Sequence, residues 1–301
     1  MGRGGARTAL VTGGSGYVGS HVARRLIRSG WDVHLIVRRQ SKLEPLQDIL
    51  PRAVVHIHDG STEALLKTVD RVRPDVVFHL AASCILQHRP EHIVPMLGSN
   101  IVFGTQLVEA MTASGVHCLV NTGTASQHWG NSDYNPATLY AATKQAFETL
   151  LVYYAETTPL KAITLKLYDT YGPGDFRPKL LPALLHREDG ARLPLSPGGQ
   201  WMDMVYIDDV AEAYLVAAER LLSAGAAGLE HYAVSSGKPV TLKELIAVFE
   251  RVSGRKLAVD WGALPYRPRE AMVHWSRGAR LPGWQPATEL EEGIRRMLGL
   301  G

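Results

Sequence analysis

Tyr140 and Lys144 stand four residues apart in the run Leu139–Glu156. On a helix, positions i and i+4 share one face, so this phenol and this ammonium can meet one ligand. An adjacent ammonium favours the phenolate and lowers the tyrosine pKa toward a range useful for proton transfer. A second group of residues is suited to binding. It is Thr12-Gly13-Gly14-Ser15-Gly16-Tyr17-Val18-Gly19, which follows the apolar run Thr8 to Val11 and opens an amphipathic stretch from Tyr17 to Arg28. Gly13 permits a tight turn, Gly16 lets the backbone approach a pyrophosphate, and Gly19 lets a helix pack closely on the strand. The helix N-terminus then offers free N–H groups to phosphates. Each feature has a plain reading, a surface Tyr/Lys pair or a glycine-rich turn. The strand–turn–helix context is what favours a dinucleotide site.

The elements that must position these residues are short and regularly spaced. Apolar runs rich in Val, Ile and Leu predict strands at Thr8–Thr12, Asp32–Val37, Ala53–Ile57, Val76–Leu80, His117–Thr122 and Ala162–Leu167. Helical stretches lie between them at Tyr17–Ser29, Thr62–Arg71, Ile93–Ser114 and Leu139–Glu156. This alternation predicts an α/β protein of the Rossmann type, with a doubly wound parallel sheet and right-handed crossovers. Ligands then belong at the carboxyl ends of the strands, near the switch point. After residue 168 the pattern changes. Pro173, Pro178, Pro182, Pro194 and Pro197 punctuate the chain, and Ser196-Pro197-Gly198-Gly199 is a turn. Helices are expected at Asp208–Ser223, Leu242–Ser253 and Glu289–Met297. The expected division is a nucleotide-binding domain over 1–168 and a smaller substrate-binding lobe over 169–301, partly interleaved with the first. No clean linker separates them, so they should share a cleft.

Composition narrows the class. The chain has 301 residues, 46% of them hydrophobic and 20% charged, with a formal net charge of +3 and no basic stripe for nucleic acid. Cys84 and Cys118 lie in apolar segments and read as buried free thiols. Met1-Gly-Arg-Gly-Gly-Ala-Arg holds no apolar signal segment, and no apolar run is long enough to span a bilayer. A cytoplasmic protein without membrane contact is expected. The 12 histidines form no helical metal-ligand pair, so no metal is expected. Trp31, Trp261, Trp275 and Trp284 read as packing residues.

Taken together, the glycine turn, the Y-x-x-x-K helix after the fifth strand, and the hydroxyl of Thr124 at that strand's end resemble the extended short-chain dehydrogenase/reductase family. His79-Leu80-Ala81-Ala82, Asn100, Tyr171-Gly172-Pro173 and Val205-Tyr206-Ile207-Asp208-Asp209-Val210 match in the family's order and extend the likeness over most of the chain. The resemblance implies that Tyr140 is the general acid/base on the substrate oxygen. It implies that Lys144 holds the nicotinamide ribose and depresses the Tyr140 pKa, and that Thr124 hydrogen-bonds the reacting oxygen. Leu80, Ala81 and Ala82 would line the cofactor with Asn100 nearby, and Asp59 with Gly60 would meet the adenine edge. The implied substrates are nucleotide-sugars, and the implied assembly is a homodimer pairing Ile93–Ser114 and Leu139–Glu156 in a four-helix bundle.

Cofactor choice has a physical basis. An NAD site places a carboxylate at the end of the second strand against the ribose hydroxyls. Here that strand ends Ile36-Val37-Arg38-Arg39. Arginine suits a 2′-phosphate, so NADPH is preferred, with NAD as the alternative; Arg38 and Ser15 are the expected contacts.

Reaction type follows from what surrounds Thr124. Dehydratases of the family carry Asp-Glu directly after the hydroxyl residue, whereas Ala125 and Ser126 follow it here. The stretches Asn121–Trp129, Leu139–Glu148 and Asp169–Leu180 are similar to nucleotide-sugar 4-ketoreductases of the CDP-abequose and CDP-paratose synthase kind. The expected reaction is reduction of a 4-keto-deoxyhexose, with the CDP-linked form as the leading candidate; an NAD-dependent epimerase and a non-catalytic NADP-binding regulator are the alternatives. Cys84, Ser126, Gln127, His128, Asp169, Arg177, Lys179, Gln200 and Arg267 are the expected substrate contacts. Two departures from the family stand out. Gln200-Trp201-Met202-Asp203 lacks the arginine that usually serves the diphosphate, leaving Arg177, Lys179 or Arg267 to compensate. Asp169 stands where an asparagine is usual.

Overall fold

The computed structural model describes residues 5–188, 190–223, 226 and 228–300. Its centre is a seven-stranded parallel sheet in the order β11-β6-β5-β4-β1-β2-β3. The strands are β1 (Thr8–Thr12), β2 (Asp32–Arg38), β3 (Ala53–His58), β4 (Val76–His79), β5 (Cys118–Thr124), β6 (Lys161–Leu167) and β11 (Leu229–Val234). Strand order reverses between β1 and β4, which pair directly with Thr12 beside His79. That pairing opens a crevice beyond the two carboxyl ends.

Helices cover both faces. On one side α1 (Tyr17–Arg28) and α7 (Ile207–Leu222) pack with Val11, Val33, Phe78 and Ile163. On the other, α2 (Thr62–Val72), α4 (Phe103–Ala113) and α5 (Leu139–Thr157) cover Leu10, Val77, Leu119 and Ala162. Strands apolar on both faces are what a doubly covered parallel sheet requires. Strand β11 was not among the expected strands. Its burial is uneven, with His231 exposed and Ala233 and Val234 buried, because it is an edge strand paired only to β6.

The expected helix over Ile93–Ser114 is interrupted. It consists of α3 (Ile93–Leu97), a π-turn over Gly98–Val102, and α4. Periodicity alone cannot show this, since one π-turn displaces a single residue.

Beyond β6 the chain forms β7 (Asp169–Tyr171), α6 (Leu180–Leu185), β8 (Leu193–Leu195), β9 (Trp201–Met202) and β10 (Met204–Tyr206). After β11 come β12 (Val240–Thr241), α8 (Leu242–Ser253), β13 (Val259–Trp261) and α9 (Leu290–Met297). The short strands pair as β7–β10, β9–β12 and β8–β13. A third apolar cluster joins this region through Tyr171, Leu184, Ile207, Leu245 and Phe249, and Tyr17 of α1 belongs to it. Among the described residues no helix is long and apolar enough to cross a membrane, and no His/Cys/Asp/Glu group is placed to hold a metal.

Candidate active site

The crevice between β1 and β4 is shaped by glycine. Gly13 has φ +72°, and a Cβ there would stand 2.5 Å from Ala81 N. Gly16 N donates to Gly13 O at 2.9 Å, closing the turn. A Cβ on Gly19 would fall 2.1 Å from Gly13 O, so only glycine lets α1 approach the loop this closely. Thr12 Oγ1 meets His79 Nδ1 at 2.8 Å and accepts from Ala81 N at 3.3 Å, tying the two strand ends together. Helix α1 has no side-chain cap and no acid in its first turn. By contrast α2, α5 and α8 are capped by Ser61, Thr138 and Thr241. Uncapped N–H groups at the positive end of the helix dipole, beside a cradle that a single Cβ would fill, fit a pyrophosphate.

Around this cradle, Ser15 is half-buried and Arg38 and Arg39 are exposed at the end of β2, next to β1. Asp59, just past β3, accepts from Ser61 N at 2.8 Å and Ser61 Oγ at 2.7 Å. These bonds favour its ionised form and lower its pKa. Gly60 follows with φ +100°. Leu80 and Ala81 are half-buried and Ala82 is exposed along the exit from β4. The Tyr17 side chain is buried in the third apolar cluster. Its backbone lies in the first turn of α1.

Thr124 ends β5, where its Oγ1 accepts from Ser126 N at 3.2 Å. Tyr140 and Lys144 occupy the first turns of α5 and are both buried. Thr143 Oγ1 donates to Tyr140 O at 2.7 Å and accepts from Asn100 Nδ2 at 2.9 Å. Asn100 also accepts from Ser83 N at 2.7 Å and donates to Ser83 O at 3.1 Å. The π-turn thus aims Asn100 at a bracing role. It ties the loop after β4 to α5. That brace sets Cys84 near Tyr140, close enough for the two groups to influence each other's protonation. Cys84 is exposed and Cys118 is half-buried; neither is the buried thiol expected from its apolar neighbours.

The charge state also differs from expectation. Burial, reinforced by Cys84, pushes the Tyr140 pKa well above its ordinary value. Desolvation of the phenolate outweighs any help from Lys144. Burial also lowers Lys144 to about 8, while Glu148 opposes that shift. Near neutral pH the site therefore holds a protonated phenol and a charged ammonium, the pair needed to donate a proton. His79 is held neutral, its pKa lowered to about 3 by burial, with the Lys144 charge adding to the effect.

On the substrate side, Asp169 opens β7 with a carboxylate oxygen 3.3 Å from Lys179 Nζ. Arg267 is exposed and pairs with Glu270 at 2.9 Å. Other expected contacts are otherwise engaged. Arg177 gives bonds to both Asp175 carboxylate oxygens and to Thr170 O and Oγ1, with its guanidinium 4.3 Å from the Tyr17 ring centre. Four of its five donors are thereby used to fix the turn after β7. Gln200 is buried against Ser196. Gln127 lies behind β5, where it bonds Thr124 N, Gln145 and Glu148. His128 stacks on Trp275 with ring centres 3.9 Å apart. Ser126 is half-buried, and its carbonyl accepts from Ala137 N at 2.8 Å. One buried feature was not anticipated: Glu148 and Lys166 form an ion pair at 2.6 Å. Its signal was the four-residue step from Tyr140 through Lys144 to Glu148.

A glycine cradle at the switch point and a Tyr/Lys pair on the helix packed against the strand that ends in Thr124 fit a class of dinucleotide-dependent enzymes. The family model for NAD-dependent epimerases and dehydratases matches residues 9–233, and the chain belongs to that family. Among curated relatives, the CDP-abequose synthase of Salmonella muenchen is 25% identical over 97% of both chains. The UDP-glucuronate 4-epimerase of Thermodesulfobacterium geofontis is 26% identical over 95% of this chain and 94% of its own. Among solved structures, a UDP-glucose 4-epimerase from Stenotrophomonas maltophila with bound NAD superposes with TM-score 0.86 at 21% identity, covering 98% and 97% of the two chains. The UDP-glucose 4-epimerase of Thermus thermophilus, in complex with NAD, gives 0.79 at 25% identity over 97% and 98%.

Proposed function

We propose that the protein is an NADPH-dependent 4-ketoreductase acting on a nucleotide-activated 4-keto-deoxyhexose, with the CDP-linked sugar as the first substrate to test. The observation that carries the reductive reading is the end of β2. Arg38 and Arg39 stand there, exposed and without a carboxylate, where a 2′-phosphate would be bound by charge-assisted hydrogen bonds. The likeness to CDP-abequose synthase over nearly the whole chain supports the substrate class. Ala125 and Ser126 after Thr124 offer no carboxylate to expel water, which argues against dehydration.

When bound, the nicotinamide supplies hydride to the sugar carbonyl carbon. Thr124 Oγ donates a hydrogen bond to the carbonyl oxygen. Tyr140 donates its proton to that oxygen, and Lys144 holds the ribose while its charge stabilises the resulting phenolate. Asp169, Lys179 and Arg267 are the side chains proposed to bind the substrate, with the two cations serving its diphosphate.

An epimerase with retained NAD is the second reading. It is favoured by the UDP-glucuronate 4-epimerase likeness, which is as extensive as that to the synthase. Cofactor content separates the two. A reductase exchanges its cofactor every turnover, so purified protein should hold well under one equivalent, and added NADPH should bind more tightly than NADH. Stoichiometric NAD surviving gel filtration would favour the epimerase.

A further inference from the structure

Gln127 is wholly buried behind the end of β5, and both polar atoms of its side chain are engaged. Its Oε1 accepts from Thr124 N at 2.9 Å, while its Nε2 donates to Gln145 Oε1 at 2.7 Å and to Glu148 Oε1 at 3.0 Å. A backbone N–H can only donate and a carboxylate only accept, so the amide has one orientation. Glu148 is itself fixed, since Lys166 Nζ donates to both of its oxygens, at 2.8 and 2.6 Å, and both residues are buried. Gly123 keeps the space open: a Cβ there would stand 2.7 Å from Lys166 Cδ and 3.0 Å from Gln127 Oε1. A chain of bonds therefore runs from Lys166 of β6, through Glu148 of α5 and Gln127, to the backbone of Thr124. We propose that Gln127 is a positioning residue for Thr124: it fixes the strand-end backbone from which the hydroxyl is presented, with the buried Glu148–Lys166 pair as its anchor. This deepens the reading of Thr124 as donor to the substrate oxygen, and it rests on that reading only for its consequence in catalysis.

The bonds at Thr124 are reciprocal. Thr124 Oγ1 accepts from Ser126 N at 3.2 Å while Gln127 accepts from Thr124 N, a capping box around the turn Ala125–Gln127. With one lone pair of Oγ1 given to Ser126 N, the hydroxyl hydrogen is left for another acceptor. The turn that Gln127 closes thus also sets the donor role of the hydroxyl. A donor stabilises developing negative charge most when it is held in place before the reaction begins. Without the Gln127 amide, Thr124 N would lose this acceptor and the strand end its brace. Gln127, expected from the sequence as a substrate contact, acts in this account without touching the substrate.

Two readouts test this. The first follows hydrogen exchange of the Thr124 amide by NMR on the whole protein, with no cofactor or substrate added. Gln127→Met keeps the side-chain length and removes the amide. It should speed Thr124 exchange about 10-fold or more, while the amides of Leu119 and Ile163, deeper in the sheet, keep their wild-type rates. Glu148→Gln combined with Lys166→Met replaces the ion pair by neutral side chains and leaves Gln127 an acceptor. It should give a smaller acceleration confined to the same amide, and it carries the test if Gln127→Met does not fold. The second readout is turnover with NADPH and a CDP-4-keto-3,6-dideoxyhexose. Gln127→Met should lower kcat about 10-fold with the KM for NADPH little changed. That loss should vanish in a Thr124→Val background, where the hydroxyl is already gone, whereas a merely structural loss would slow both backgrounds alike. A Thr124 amide that exchanges at the wild-type rate in the folded variants, or a Gln127→Met loss that multiplies that of Thr124→Val, would overturn the proposal. Faster Thr124 exchange in a protein that reduces no sugar would sink the ketoreductase reading and leave the hold of Gln127 on Thr124 standing.

Discussion

In the proposed mechanism Tyr140 is the residue on which the chemistry turns. Its burial keeps the phenol protonated, which suits an acid that must deliver a proton to an alkoxide. Tyr140→Phe should lower turnover by about 10²–10⁴-fold. NADPH affinity, read by fluorescence titration, should change little; near-normal turnover would remove Tyr140 from the mechanism. Lys144 carries a cost in stability. Its folded pKa of about 8 lies below the ordinary 10.5. The unfolded chain therefore binds this proton more tightly, and the penalty is present in full below about 8 and is relieved as pH rises toward 10.5. Lys144→Met should abolish activity yet stabilise the fold by about 1–4 kcal/mol at pH 7, with the gain shrinking above pH 8. Melting curves across that range check it, and a gain that grew with pH would contradict the assignment. At this scale the sequence singled out Thr124, Tyr140 and Lys144 as candidates, because residue type and spacing along one helix are local facts. It did not expose that Arg177, Gln127 and Gln200 are taken up by neighbours, since Asp175 and Thr170, Gln145 and Glu148, and Ser196 reach them only through the folded chain.

Two elements aim the site: the glycine turn into α1 and the π-turn before α4. In the first, Gly19 is the closest fit. Gly19→Ala puts a methyl 2.1 Å from Gly13 O and should cost about 1–3 kcal/mol while weakening NADPH binding severely. Chemical denaturation paired with cofactor titration would reveal it, and an unaffected affinity would show that the loop does not cradle the phosphates. In the proposed reading, strand β2 sets the cofactor choice by where it ends. Arg38→Ala should weaken NADPH about 10–100-fold and leave NADH nearly unchanged. Equal losses for both cofactors, or none, would return the site to NAD. The glycine turn was legible because a tight turn and close helix approach each demand glycine. The π-turn was not, because Gly98, Ser99 and Asn100 are also compatible with one continuous helix over Ile93–Ser114, and the extra residue shows only in where Asn100 points.

For the molecule as a whole, the alternation of apolar strands and helices was enough to predict the parallel sheet. The seventh strand escaped notice. Leu229–Val234 includes Glu230 and His231, as an edge strand permits, and a run of Ala and Gly precedes it in the sequence. Long-range return of the chain to β6 has no local signal. The outer surface of the helices leaves Val94 78%, Val102 52%, Val152 48% and Tyr153 63% exposed. Those side chains lie on the segments expected to form a four-helix bundle between two copies. Val94→Asp with Tyr153→Asp should convert a dimer to a monomer in light scattering, and a wild-type monomer would exclude the bundle.

The central claim is net reduction of a nucleotide-linked keto sugar. The most direct measurement is NADPH consumption by the wild-type protein with a CDP-4-keto-3,6-dideoxyhexose, with the sugar product analysed from the same tube. Stoichiometric oxidation of NADPH accompanied by a new sugar alcohol is the predicted result. An isomerised sugar with no net loss of NADPH would contradict it and establish epimerisation instead.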